Sequence, residues 1–212
     1  MSTVRHPLFA RLYSTVVAPM MDRAGAGSYR QRLLEGLSGT VVEIGAGNGA
    51  NFGLYPPEVD RVVAVEPEPF LRGKATEAAR AAAVSVEVVD GVAERLPIFG
   101  GTADAVVCCL VLCSVADPIA ALAESRRVLS AGGELRFLEH VQAPRPGGMR
   151  RVQSALDATV WPCLFGGCHC GRDTAGAITA AGFALTELDR FTFPEGSRGP
   201  AAFSILGRAV CS

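Results

Sequence analysis

The stretch Thr40-Val41-Val42-Glu43-Ile44-Gly45-Ala46-Gly47-Asn48-Gly49-Ala50-Asn51-Phe52 constrains this chain more than any other, because it reads as a buried strand running directly into a glycine turn. Val41, Val42 and Ile44 suit a strand covered on both faces, while Gly45, Gly47 and Gly49 make a turn where backbone approaches a ligand closely. A helix is expected from about Ala50, aiming its unpaired N–H groups into that turn. The turn departs from the dinucleotide pattern Gly-x-Gly-x-x-Gly, since its third glycine arrives one residue early. Glu43, two residues ahead of Gly45, adds an acid at the carboxyl end of the strand.

The strand-then-helix theme repeats along the rest of the chain. Residues 61–66 read as a second strand ending in Glu66, followed by Pro67 and a helix over 68–83. Glu66 lies 21 residues after Gly45 (66 − 45). In a βαβ unit that position sits beside the glycine turn, where a carboxylate accepts hydrogen bonds from both hydroxyls of a ribose. A third strand over 85–89 leads into Asp90-Gly91-Val92-Ala93-Glu94, although Asp-Gly is equally a common turn opener. The apolar run 103–112 is the fourth strand, and 117–129 a helix with Asp117 as cap and Pro118 at its first position. A fifth strand over 134–141 ends in Glu139-His140, helices follow at 149–161 and 173–181, and strands over 183–190 and 201–207 close the chain. The pattern predicts an α/β, Rossmann-like, doubly wound sheet of seven strands, mostly parallel with an antiparallel last strand. The ligand then belongs where the first and fourth strands diverge.

Ahead of the sheet, Leu8, Phe9, Leu12, Tyr13, Val16, Val17, Met20 and Met21 have helical spacing within 6–21. Pro19 is expected to end that helix, and a second one resumes over 29–37. Residues 1–38 are therefore read as a helical cap and 39–212 as the ligand-binding domain, the two forming one structural unit. A basic amphipathic membrane anchor is the competing reading of the first stripe.

The run acid-x-Gly-x-Gly-x-Gly at Glu43 to Gly49 resembles the first motif of the class I S-adenosylmethionine-dependent methyltransferases. Arg127-Val128-Leu129-Ser130-Ala131-Gly132-Gly133 resembles the Arg-Val-Leu-x-Pro-Gly-Gly run before the fifth strand of many of them, with alanine in the proline's place. Within that superfamily, Gly49-Ala50-Asn51-Phe52, Leu110 to Val115, Glu139-His140-Val141 and Phe165-Gly166-Gly167-Cys168 look like the small-molecule thiol methyltransferases, the ubiquinone and menaquinone C-methyltransferases being more distant relatives. The resemblance implies S-adenosylmethionine as cofactor and S-adenosylhomocysteine as product. It implies contacts from Glu43, Gly45, Ala46, Gly47, Gly49 and Asn51 around the turn, from Glu66 and Pro67 at the ribose, and from Asp90, Gly91, Val92, Ala93 and Glu94 at the adenine. Cys109, Leu110 and Val111 would face the sulfonium, with Tyr13 covering from the cap.

His140, at the carboxyl end of the fifth strand, is the candidate base for deprotonating an acceptor thiol; a histidine that only holds a loop carbonyl is the alternative. C- or O-methylation of a quinone or natural product, or cofactor binding without catalysis, remain open beside the thiol. A nicotinamide oxidoreductase on a similar sheet is disfavoured by the early third glycine.

Composition narrows the setting. Formal net charge is −1, with 20 basic against 21 acidic residues, which gives no electrostatic reason to expect nucleic acid as a partner. Although 49% of residues are hydrophobic, no uncharged run reaches the roughly 18 residues of a spanning helix. No signal peptide and no apolar amino-terminal anchor of the kind the animal thiol enzymes carry is read in the chain, so a cytoplasmic enzyme acting on a small molecule is expected. Seven cysteines, an odd number, do not form a disulfide framework. Cys163, Cys168, His169 and Cys170 cluster in sequence, but their spacing does not fit the usual zinc patterns; a loop that helps wall the substrate pocket is expected there and no metal, a bound metal or metalloid being the alternative.

Overall fold

The computed structural model describes residues 7–211. Its strands β1 (Gly39–Ile44), β2 (Val59–Val65), β3 (Ser85–Val89), β4 (Ala103–Cys109), β5 (Leu129–His140), β6 (Phe183–Thr192) and β7 (Phe203–Cys211) form a seven-stranded sheet in the order β3-β2-β1-β4-β5-β7-β6. β1 pairs in parallel with β2 on one side and β4 on the other, while β7 runs antiparallel to both β5 and β6. The chain builds outward from β1 to β3, then returns to start the other half at β4. That reversal opens a crevice at the carboxyl ends of β1 and β4, the place where such sheets bind ligands.

The near-continuous apolar runs of the central strands follow from burial on both faces. Val42, Ile44, Val63, Val65, Val106 and Cys108 point to one side, against Leu122 and Val128 of α5 (Pro118–Val128) and Ile178 of α8 (Thr174–Ala180). Their neighbours Val41, Val62, Ala64, Ala105 and Val107 point to the other, against Leu33 and Leu34 of α3 (Ala26–Leu34), Ala75 of α4 (Pro69–Ala79) and Phe52. The period of two assigns each residue its layer.

Several elements differ from expectation. The helix expected from Ala50 is absent: the chain makes turns and a single 3-10 turn, Phe52–Leu54, before β2. Extended backbone at Tyr55 and the Pro56-Pro57 pair stop propagation, so no long helix presents its N-terminus to the glycine turn. Pro19 does not end the first helix either. A π-helical turn, Tyr13–Val17, joins α1 (Pro7–Leu12) to α2 (Ala18–Arg23), and the wider turn admits Pro19 at the start of α2. Leu8, Leu12, Val16 and Met20 of that helical run are exposed, whereas Phe9 and Tyr13 turn inward; His6 lies outside the described residues. β4 stops at Cys109, because Leu110 takes a left-handed φ of 58°. The helix expected over 149–161 divides into α6 (Gly148–Asp157) and α7 (Trp161–Leu164).

Candidate active site

The carboxyl ends of β1, β2 and β4 open onto a cavity of about 580 Å³, large enough for a nucleoside-sized ligand together with a small acceptor. Gly45 and Gly47 line it from the turn after β1, Glu66 and Pro67 from the end of β2, and Gly91, Val92, Ala93 and Glu94 from the segment after β3. Cys109, Leu110 and Val111 line it from the end of β4, and Tyr13 with Phe9 from the amino-terminal helix. The structure thus brings together, across five separate elements, twelve residues picked out in the sequence. Gly166, Gly167, His169 and Arg172, from the connection between α7 and α8, complete the wall; the sequence reading expects a pocket-walling loop here but singles out none of the four as a binding or catalytic residue.

The turn and the acid after β2 are one hydrogen-bonded unit. Glu66 Oε2 accepts from the Gly47 backbone N–H at 2.8 Å, and Oε1 accepts from the Glu68 N–H at 2.9 Å. Burial pushes the Glu66 carboxyl up to about 7 despite these two donors. Gly47 has φ 57°, and a Cβ there would meet the Tyr13 ring at 3.6 Å, so the space beyond it is the cavity itself. Gly49 differs: its φ is 81° and a Cβ would come within 2.8 Å of both Ala78 and Phe52, so it is required by packing under the turn.

Other predicted contacts stand behind the wall. Glu43 is buried, accepting from Asn51 Nδ2 at 2.8 Å and from the Tyr55 hydroxyl at 2.7 Å, and burial pushes its carboxyl up to about 7. Glu43 and Asn51 therefore brace the turn from beneath, off the cavity lining. Ala46 is buried in the core and donates its N–H to Val65 O. Asp90 pairs with Arg72 Nη1 at 3.1 Å, while the same nitrogen donates to the carbonyls of Glu66 and Pro67. Asp90 thereby fixes the guanidinium that holds the end of β2 in place.

Glu139 is a fully buried carboxylate whose oxygens accept three consecutive backbone N–H groups, from Val111 and Leu112 at 2.9 Å each and from Cys113 at 3.1 Å. Leu110 N donates to Leu138 O at 2.7 Å, which completes the anchoring of the turn after β4. No sequence pattern reveals this role, because donors and acceptor lie 26 to 28 residues apart. The neighbouring Cys109 thiol is pushed up to about 12 by burial and faces the cavity neutral, a poor nucleophile.

His140 is not among the residues lining the large cavity. It lines a small adjoining pocket with Leu138 and Leu110, and its Nδ1 lies 3.9 Å from Cys168 Sγ. The imidazole that does face the cavity belongs to His169, whose Nδ1 is 2.8 Å from Gly167 O. A carbonyl oxygen only accepts, so that contact calls for a proton on Nδ1, whereas Arg172 Nη2, 3.2 Å from the same Nδ1, can only donate to it; the two contacts compete for the tautomer, and the first leaves Nε2 with its lone pair free. Arg172, beside it, donates from Nη1 to Leu112 O at 2.6 Å and ties this connection to the turn after β4. The four residues clustered in the sequence separate in space: Cys163 is exposed, and Cys170 turns to Asp157 at 3.4 Å.

A doubly wound sheet of this order, with a glycine turn after β1 bonded to an acid after β2, is the arrangement expected of a class I S-adenosylmethionine-dependent methyltransferase. Residues 42–137 match the model of a methyltransferase domain. Thiol S-methyltransferase TMT1B of Rattus norvegicus is 36% identical over 175 residues, which cover 81% of this chain and 70% of the rat protein. Its Homo sapiens counterpart is 37% identical over 183 residues, 84% of this chain and 73% of the human protein. Among solved structures, a methyltransferase from Thermotoga maritima described as a possible histamine N-methyltransferase superposes with a TM-score of 0.70 at 22% identity, over 97% of this chain and 99% of that one. Geranyl diphosphate C-methyltransferase of Streptomyces coelicolor A3(2), solved with S-adenosyl-L-homocysteine, gives 0.72 at 16% identity, over 95% and 84%. The chain belongs to the family of S-adenosylmethionine-dependent methyltransferases that contains the TMT1B proteins. Among the described residues no helix is long and apolar enough to cross a membrane.

Proposed function

We propose that this methyltransferase acts on the sulfur of a small thiol, and the observation that carries the proposal is the imidazole of His169, set in the largely apolar cavity wall with Nδ1 beside Gly167 O. The names of the two relatives support the same acceptor. The residues fit the cofactor: Glu66, at the cavity edge, would take the ribose hydroxyls, Gly47 would let the amino acid portion lie against backbone, and Gly91 to Glu94 would hold the adenine. When bound, S-adenosylmethionine supplies a methyl group on a positively charged sulfonium. His169 Nε2 takes the acceptor's proton, because the thiolate and not the thiol is the nucleophile. Phe9 and Tyr13 cover the site and exclude water, and Val111, held by Glu139, together with Leu110, held by Leu138 O, fixes the wall beside the glycine turn. The amino-terminal helices act as a cap that is part of the same structural unit. The free cysteines support a reducing cytoplasm as its location.

The test is methyl transfer from S-adenosylmethionine to simple thiols, with phenols and quinols alongside. Turnover on phenols or quinols in place of thiols overturns the acceptor; binding with no turnover on any of them makes the chain a cofactor-binding protein. His169→Ala is expected to lower kcat on a thiol by about 10²–10⁴ at neutral pH, leave S-adenosylhomocysteine affinity unchanged, and recover at alkaline pH where the thiol ionises unaided.

Cofactor binding is also expected to move a proton. In the free protein, Glu66 holds a proton below pH about 7. Ribose hydroxyls donate to the ionised carboxylate, so binding lowers its pKa and expels that proton. Affinity for S-adenosylhomocysteine therefore falls as pH drops below 7, by at most about tenfold per unit. Titration calorimetry in buffers of different ionisation enthalpy should read a proton released at pH 6, and Glu66→Gln should remove the release.

A further inference from the structure

Three side chains that bind soft metals meet beside the cavity, each delivered by a different element. Cys113 comes from the turn after β4, His140 from the end of β5 and Cys168 from the connection between α7 and α8. Cys113 Sγ and Cys168 Sγ are 3.7 Å apart, Cys168 Sγ and His140 Nδ1 are 3.9 Å apart, and all three ligand atoms lie within 4.8 Å of one another. Both cysteines are buried. Tetrahedral zinc, with Zn–S about 2.3 Å and Zn–N about 2.0–2.1 Å, sets two sulfurs about 3.8 Å apart and a sulfur and a nitrogen about 3.6 Å apart. The sulfur pair already has that spacing, and His140 Nδ1 is within a few tenths of an ångström of the required distance from Cys168 Sγ, while its distance from Cys113 Sγ is no more than 4.8 Å.

The backbone around the group holds it in place. The Cys113 N–H donates to Glu139 Oε2 at 3.1 Å, and the His169 N–H donates to Cys113 O at 2.7 Å, locking the two sulfur-bearing loops together. His140 is fixed by its ladder pairing with Ser204 of β7. A disulfide needs its sulfurs at about 2.05 Å, and both cysteines are free. Two thiols and an imidazole are the donor set that selects zinc or another soft cation over magnesium or calcium. Three protein ligands leave a fourth position open, as in zinc sites that bind substrate. Ser114 and Gly167, the chain neighbours of Cys113 and Cys168, line the large cavity, and Leu110 lines both that cavity and the pocket of His140.

We propose that Cys113, His140 and Cys168 form a zinc site whose fourth ligand is the sulfur of the acceptor, an assignment that rests on the proposal of a thiol acceptor. On assembly, each cysteine thiol and the acceptor thiol releases one proton as its sulfur donates a lone pair to the metal, and His140 coordinates as the neutral imidazole through Nδ1. The acceptor is then held as a thiolate at neutral pH. His169, next in the chain to Cys168, stands in the cavity wall to take the acceptor's proton.

The experiment uses the reduced full chain, stripped by a chelator and titrated with Co²⁺ as a spectroscopic probe. One Co²⁺ per chain is expected, with thiolate-to-cobalt charge transfer in the near ultraviolet and the intense visible bands of a tetrahedral centre, which shift when 2-mercaptoethanol is added. Zn²⁺ should displace the cobalt. Cys113→Ser and Cys168→Ser should each lose the charge-transfer band while binding S-adenosylhomocysteine as the parent does, which shows them folded, and Cys163→Ser should keep it. Absence of the band, or its persistence in both folded serine variants, overturns the site. Thiol turnover that a chelator leaves unchanged also overturns it while sparing the thiol acceptor. A metal bound through these residues in a protein that methylates no thiol overturns the acceptor as fourth ligand, together with the thiol acceptor itself.

Discussion

Gly47→Val is expected to abolish S-adenosylhomocysteine binding, lowering affinity by more than about 100-fold, while the sheet stays folded. Gly47 holds φ 57°, gives its N–H to Glu66 and lines the cavity with bare backbone. A Cβ alone is tolerated, at 3.6 Å from the Tyr13 ring, but valine's methyl groups extend into the volume the cofactor needs. The left-handed conformation adds a strain of about 1–2 kcal/mol, which appears as a modest drop in Tm. Gly49→Val supplies the contrast: there a Cβ collides with Ala78 and the Phe52 ring at 2.8 Å, so stability falls first. Calorimetric titration beside thermal unfolding separates the two. Tight binding retained in Gly47→Val would refute the placement of the cofactor over this turn.

Glu139→Ala should be the most destabilising single change in the site, by about 3–5 kcal/mol, since it leaves three buried N–H groups without an acceptor. Against a total of about 5–15 kcal/mol for a domain, that is a large share. The turn it organises carries Leu110 at φ 58° and contributes Val111 to the cavity, so cofactor affinity should fall with stability. Glu139→Gln keeps one carbonyl oxygen but turns an NH₂ toward one of the N–H donors, and should fall between alanine and the parent. Chemical denaturation of the three proteins measures the order; an alanine variant within about 1 kcal/mol of the parent, the worth of one ordinary hydrogen bond, would sink the role assigned to this carboxylate.

Much of the molecule is legible from local pattern. The apolar runs of β1, β2 and β4 identify buried parallel strands, and the separation of Glu66 from the glycine turn anticipates the bond from Gly47 to its carboxylate. Asp117 and Asp173 cap their helices as short-range chemistry dictates, each accepting from backbone N–H groups a few residues on. The helix expected after Gly49 fails because its start signal is contradicted by Gly53 and the Pro56-Pro57 pair, which cut the segment before one turn can extend. Pro19 misleads in the opposite direction, since a π turn absorbs it.

Local pattern along the chain was enough to read the doubly wound sheet and to pick out candidate site residues at the ends of β1, β2 and β3, while the family came from the resemblance of its motifs. The sheet and those candidates are matters of periodicity, of glycine where backbone must come close, and of an acid at a fixed spacing inside one βαβ unit. Which imidazole faces the cavity, and which carboxylate holds the turn after β4, depended on how the elements pack. Packing also brought Cys168 to Cys113 and His140, and not to the nearby Cys163 and Cys170. The reason is distance along the chain: Cys113 and Cys168 stand 55 residues apart and Glu139 at least 26 from the N–H groups it collects, and such contacts exist only once the sheet has closed.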